Sequence, residues 1–146
     1  MTVFYEDIPV GTVRESEGYA VTREEILEFG RRFDPQPFHV DEAAARRSPF
    51  GGLIASGWHT AAIAMRLTVD TRMGPGGSLG SPGVDELRWL RPVRPGDTLT
   101  VRCEVVDKRP LESKPDRGLV RTRTTVRNQH GQDVMTLVGL GFFPRR

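Results

Sequence analysis

The stretch Ser56-Gly57-Trp58-His59-Thr60-Ala61-Ala62-Ile63-Ala64-Met65-Arg66-Leu67-Thr68-Val69 decides the fold. Ser56 is a good N-cap, because its hydroxyl can accept from the unpaired amides of a first helical turn. Beyond it, Arg66 is the only charged residue before Asp70. A helix apolar on most sides is a buried one, so residues 56–69 are expected to run through the interior. Downstream the apolar period changes from helical to two. Leu99, Val101, Cys103 and Val105 alternate with Thr100, Arg102 and Glu104. Val120, Thr122, Thr124 and Val126 alternate with arginines 121, 123 and 127 in the same way. Each run reads as a strand with one buried face. Residues 134–143 are apolar on both faces, the pattern of a central strand covered on both sides, and Asn128-Gln129-His130-Gly131 reads as the hairpin before it. An antiparallel sheet packed on one buried helix follows, an α+β arrangement.

Upstream, Thr22 and Glu25 form a capping-box pair, with Ile26, Phe29, Gly30 and Phe33 on one face, which predicts a helix over 22–33. Asp34 precedes Pro35, and a residue before proline is driven out of the α region, so the helix stops there. A short helix is expected over 41–47, through Ala43, Ala44 and Ala45. Between the buried helix and the strands, residues 70–83 read DTRMGPGGSLGSPG, a mobile loop by composition.

Composition bounds the function. The 146 residues suit one domain, residues 1–146. No stretch approaches the ~20 apolar residues of a membrane helix, and the opening MTVFYEDIPVG has neither the basic lead nor the apolar run of a secretory signal. Cys103 is the single cysteine. That excludes an internal disulfide and a multi-thiolate zinc site, makes a reducing cytoplasm the default, and leaves Cys103 as a small core hydrophobe. Net charge is +2, which suits an anionic small molecule but not nucleic acid, where a clustered basic face is expected. Lys108 and Lys114 are the only lysines among 21 basic residues. Arginine forks bind phosphate and carboxylate well, but a codon bias toward arginine explains the same excess.

The densest segment for chemistry is Phe33-Asp34-Pro35-Gln36-Pro37-Phe38-His39-Val40-Asp41. It sets an acid and an imidazole five residues apart on a non-helical stretch stiffened by two prolines. Held near one water, the two can divide general-base and general-acid work. The same residues also suit a proline-rich turn with a structural histidine. A second segment, 48–58, ends in Ser56-Gly57-Trp58. Gly57 lets another group approach the unpaired amides of a helix start, as an oxyanion site requires, or merely lets the helix enter the core. Glycines 74, 76 and 80 imitate a phosphate loop without following a strand or ending in Gly-Lys-Ser/Thr, so no nucleotide loop is expected there.

Together the two segments resemble the signature of the MaoC-like dehydratases, a family that includes the R-specific enoyl-CoA hydratases. Asp34, Pro37, His39 and Asp41 match its acid–histidine motif, Ala43, Ala44 and Ala45 its alanine-bearing helix, and Gly57 its glycine-rich helix start. Phe4-Tyr5-Glu6-Asp7-Ile8 with Gly11 resembles the family's opening, and Arg91-Pro92-Val93-Arg94-Pro95-Gly96-Asp97 its strand-to-strand turn. The resemblance implies a hot dog fold, in which the sheet wraps the central helix. It makes Asp34 and His39 the catalytic pair and the Gly57 N–H the oxyanion donor, in a hydration of 2-enoyl-CoA needing no metal or redox cofactor. It also implies a homodimer or dimer of dimers with a CoA thioester as partner. Departures lie at Gln36, where Asn is usual, at Phe38, where an aliphatic is common, and at Ser56 and Trp58, where His and Met are usual. Ser56, Trp58 and Phe38 are therefore the expected substrate-contacting positions. A thioesterase on the same fold and a non-catalytic acyl-CoA-binding subunit are the competing readings. Arg88, Arg91 and Arg94 either meet CoA phosphates or are solvated. His59 is expected to make a structural hydrogen bond, and His130 to be a solvated turn residue.

Overall fold

Alternating side chains, one face apolar and the other polar, oblige a strand to find a core on one side only. In the computed structural model, which describes residues 2–71 and 77–146, this requirement builds one antiparallel sheet around one helix. The elements in order are strands β1 (Val13–Glu15) and β2 (Tyr19–Ala20), helices α1 (Arg23–Phe33), α2 (Pro37–Val40), α3 (Glu42–Arg47) and α4 (Gly57–Asp70), then strands β3 (Val84–Trp89), β4 (Thr98–Pro110), β5 (Arg117–Arg127) and β6 (Asp133–Pro144). The sheet order is β1-β4-β5-β6-β3, with β2 also paired to β4. This is the α+β hot dog fold.

Register follows the apolar pattern. Val101 lies opposite Val126 and Cys103 opposite Thr124, so the buried members of both alternations share a face. Ile63, Ala64 and Leu67 of α4 pack onto that face with Leu99, Val101, Val126, Val134 and Met135. Each fully buried aliphatic there contributes ~1.5–3 kcal/mol by leaving water. Gly131 takes a positive φ of 71° in the turn between β5 and β6, and Asn128 accepts two backbone amides there, as the hairpin reading requires.

Several expectations are corrected. His39 does not lie on a non-helical stretch: Pro37–Val40 form one helical turn, because Pro37 at its first position already has a helical φ and needs no donor. Only half of the capping box forms. Thr22 accepts from the Glu25 amide, but the Glu25 carboxylate turns to Tyr19 and His59. Leu27, not Phe33, completes the buried face of α1; Phe33, in the last turn, is 64% exposed beneath the Arg32 guanidinium. The central helix is covered on one face, while Trp58, Met65 and Val69 remain exposed on the other. Strand β6 is interior by its hydrogen bonds, yet only Val134, Met135 and Val138 are buried; its second half, from Gly139 to Phe143, borders a cleft between α4 and the sheet. In the expected loop, residues 72–76 lie outside the described residues, and 77–83 hold no helix or strand. Strands β1, β2 and β3 are too short or too polar to show an alternation.

Candidate active site

Two helix ends meet to make the site. The rigid Asp34-Pro35 step stops α1, leaving Asp34 as its C-cap with its amide bonded to the Gly30 carbonyl. Ser56 opens α4 as its N-cap and accepts from the Trp58 amide at 3.3 Å. The Ser56 hydroxyl donates to Asp34 Oδ2 at 2.7 Å, and the Gln36 side-chain amide donates to Oδ1 at 2.8 Å. Gln36 thus keeps a donor on the carboxylate, although Asn is the residue usual in the resembling motif.

His39 comes to the same carboxylate from the α2 turn. Its Nε2 lies 3.3 Å from Asp34 Oδ2, and its Nδ1 lies 2.7 Å from the Ile54 carbonyl oxygen. A carbonyl only accepts, so Nδ1 carries a proton and donates it. In the neutral ring Nε2 is therefore the bare nitrogen, turned to the acid. The His39 side chain is 5% exposed, while the Asp34 side chain keeps 18% of its surface open. Burial pushes the Asp34 carboxyl up, but the hydroxyl of Ser56, the amide of Gln36 and, when its ring is protonated, His39 outweigh it. The acid is held below the ordinary aspartate range, ionised at neutral pH.

At the start of α4 the Trp58 N–H is taken by the Ser56 hydroxyl, whereas no group among the described residues accepts from the Gly57 N–H. First-turn amides have no helical partner and stand at the positive end of the helix dipole. Gly57 is a glycine for a visible reason. A Cβ there would sit 2.7 Å from Cδ2 and Nε1 of the Trp89 indole, which also donates to the Gly57 carbonyl at 2.9 Å. Trp89 was not a sequence candidate. It sits at the end of a short polar strand, and only its long-range approach to Gly57 marks it.

The expected substrate-contacting residues divide. Ser56 is 1% exposed, with its hydroxyl engaged by Asp34 and the Trp58 amide. Phe38 supports the acid–histidine pair from the side, edge-on to the His39 ring at 4.6 Å and to Phe50 at 5.1 Å. Trp58 is 61% exposed and forms a T-shaped pair with Trp89 at 5.1 Å. Arg91 and Arg94 donate to the backbone carbonyls of Asp133 and Phe50, and Arg88 to that of Leu87. Cys103 is buried and His130 exposed.

Two clefts flank α4, and neither of these is lined by Asp34 or His39. One, about 590 Å³, separates α1 from α4 and is lined by Tyr19, Glu25, Phe29, Phe33 and His59, among others. The other, about 200 Å³, lies between α4 and the sheet, against Ala61, Ala64, Met65, Thr68, Leu137 and Phe143; Gly80 and Cys103 also border it. It is the second that follows the helix face beginning at Gly57, since Gly57, Ala61, Ala64 and Thr68 recur at helical spacing.

Residues 6–128 match the family model described as MaoC like domain. A solved MaoC-like dehydratase from Rhodospirillum rubrum is 44% identical, with a TM-score of 0.90 and coverage of 99% of this chain and 98% of that one. The unliganded R-hydratase PhaJ1 from Pseudomonas aeruginosa is 29% identical with a TM-score of 0.79, covering 99% of this chain and 88% of that one. The 3-hydroxybutyryl-CoA dehydratase of Methylorubrum extorquens is 33% identical over 107 residues, 72% of this chain and 65% of that protein.

Proposed function

The chain belongs to the MaoC-like domain family, and from that premise we propose that it adds water across the double bond of a 2-enoyl-CoA thioester, or removes it from a 3-hydroxyacyl-CoA in reverse. Membership supports a hydratase or lyase in general terms; the residue roles are our reading. One observation carries it: Asp34 Oδ2 and His39 Nε2 approach within 3.3 Å beside the open Gly57 amide.

Two acceptors so close suit a water that gives one hydrogen to each. As its oxygen attacks C3, its proton passes to the pair, and Nε2 is the nitrogen with room for it. The π electrons of C2=C3 shift toward C1, and negative charge gathers on the thioester oxygen. The Gly57 N–H, at a helix N-terminus, is the donor suited to that charge. The pair then returns its proton to C2, so that hydroxyl and hydrogen are gained and the thioester is kept. The acyl chain would run from Gly57 along the small residues of α4 into the 200 Å³ cleft, whose size suits a short chain.

The unit proposed is a homodimer of one MaoC-like domain per chain. Among the described residues strand β3 has no partner on its outer edge, and Trp58, Met65, Val84, Trp89 and Leu90 are exposed large hydrophobics. No helix of the described residues is long and apolar enough to cross a membrane, consistent with work on a dissolved CoA ester in the cytoplasm.

The decisive assay follows the conjugated enoyl absorbance across a panel of acyl-CoA esters of rising chain length, with free thiol measured in parallel. Absorbance is expected to fall without thiol release, and Asp34→Asn to slow the fall by a factor of about 10²–10⁴. Thiol release would instead make the protein a thioesterase. Binding without turnover in wild type and variant alike would make it an acyl-CoA-binding subunit.

A further inference from the structure

One titratable cluster, built on a buried imidazole, stands outside that chemistry. His59, in the first turn of α4, is 3% exposed, with Nε2 2.7 Å from Glu25 Oε1 on α1. The Tyr19 hydroxyl reaches both oxygens of the same carboxylate, at 2.9 and 2.8 Å. Phe29 lies flat on the imidazole, with centroids 4.7 Å apart and planes 7° from parallel. The other ring nitrogen, Nδ1, is buried with no partner among the described residues.

That unpartnered nitrogen shows what the ring is for. Nε2 faces a carboxylate, so it carries the proton and donates it, which leaves Nδ1 a lone pair with no donor. A buried polar atom without a partner costs desolvation that is not returned. Leucine would fill the same space with no such cost. The side chain is therefore placed for its Nε2–H, not for its volume.

The bond it makes spans the cleft between two helices that bear the site. Helix α1 ends at Asp34, and α4 begins at Ser56. Among the described residues two polar bonds join these capped helices: Ser56 to Asp34, and His59 to Glu25 near the opposite end of α1. A single bond is a pivot, about which the first turn of α4 can roll. Two bonds at separate points set its orientation. We propose that His59 and Glu25, with Tyr19 steadying Glu25, are positioning residues that hold the first turn of α4 so that the Gly57 N–H faces the atoms held by Asp34 and His39. The proposal rests on the hydration reading given above for its catalytic consequence, but not for the geometry.

Misplaced oxyanion donors are felt in the transition state more than in ground-state binding, so the loss is expected in kcat and not in KM. The full chain carries the test, at a temperature where every variant is folded by circular dichroism. His59→Leu should lower kcat on 2-enoyl-CoA by about 10- to 100-fold with KM within about threefold. In His59→Gln the amide nitrogen occupies the place of Nε2, so kcat should return to within about threefold of wild type. A residue that only supported stability would lower the melting temperature in both and leave kcat unchanged. Amide exchange at Trp58 and Thr60, whose N–H groups bond to Ser56 in the first turn, is read by NMR and needs no turnover. It should speed up at least about tenfold in His59→Leu and recover in His59→Gln.

Equal kcat in wild type and His59→Leu, equal loss in the Leu and Gln variants, or unchanged amide exchange in His59→Leu would each overturn the proposal. Wild type without hydratase activity, together with exchange that rises in His59→Leu and recovers in His59→Gln, would sink the hydration reading and uphold the positioning. If His59→Leu does not fold, Tyr19→Phe takes its place, with the same losses expected at several-fold amplitude and no change again overturning the proposal.

Discussion

The Ser56 hydroxyl lies 2.7 Å from Asp34 Oδ2, and that bond, across 22 residues of sequence, ties the N-cap of one helix to the C-cap of another. The same hydroxyl accepts the Trp58 amide, so one oxygen both starts the central helix and orients the acid. Both of its strong hydrogen-bonding roles are occupied within the protein. At 1% exposure, Ser56 stands behind Asp34 in this structure.

Ser56→Ala separates these two duties. Loss of the cap should cost about 0.5–2 kcal/mol of stability, read by thermal or urea unfolding. Loss of the hydroxyl's donation leaves burial to push the Asp34 carboxyl up, so the acid limb of kcat/KM that reports Asp34 should move to higher pH. Stability shares the sign. A carboxyl with a lowered folded pKa stabilises above its unfolded value and loses that contribution as pH falls through the folded one. With the lowering reduced, acid unfolding of Ser56→Ala should begin at higher pH than in wild type. An unmoved limb would show that Asp34 does not govern it.

His39 offers a cleaner separation of anchor from chemistry. In His39→Asn the amide can still donate to the Ile54 carbonyl from roughly the place of Nδ1, while Nε2 is deleted. Hydration should fall by about 10²–10⁴-fold with the fold intact. His39→Leu strands the Ile54 carbonyl as well, adding about 1–3 kcal/mol of destabilisation. Enoyl absorbance and melting curves on the two variants distinguish these effects.

Gly57 and Trp89 should couple energetically. A methyl at Gly57 meets the indole, so Gly57→Ala alone should destabilise by about 1–3 kcal/mol. In the background Trp89→Ala that collision is gone. A double-mutant cycle by urea unfolding should return a coupling of at least about 0.5 kcal/mol, with the double variant more stable than the singles predict. Additive losses would mean that the indole does not press on Gly57 in solution.

The narrow cleft makes a prediction about chain length. Ala61 stands on its wall one turn beyond Gly57. Ala61→Leu should fill its near end and lower kcat/KM more strongly for each added pair of acyl carbons, while the shortest ester stays within about threefold of wild type. A uniform loss across the panel would place the acyl chain elsewhere.

Much of this was legible as periodicity and local chemistry. The caps Thr22 and Ser56 act within three residues of themselves, so spacing alone reveals them. The buried face of β4 follows from alternation, because a strand's neighbours differ by a half-turn whatever lies around it. Glu25 shows where that logic stops. Its spacing from Thr22 points to a capping box, but tertiary partners 6 and 34 residues away, Tyr19 and His59, hold its carboxylate instead.

What the chain determined by itself was the set of elements whose signals are short-range: an apolar helix, alternating strands, the proline step that ends α1, and the acid and imidazole on one stiff segment. Only the folded structure decided which acceptor fixes the His39 tautomer, which hydroxyl holds Asp34, and which aromatic presses on Gly57. Those are contacts between residues 15, 22 and 32 positions apart. Their geometry depends on where the sheet sets one helix end against another, and no local propensity encodes that placement.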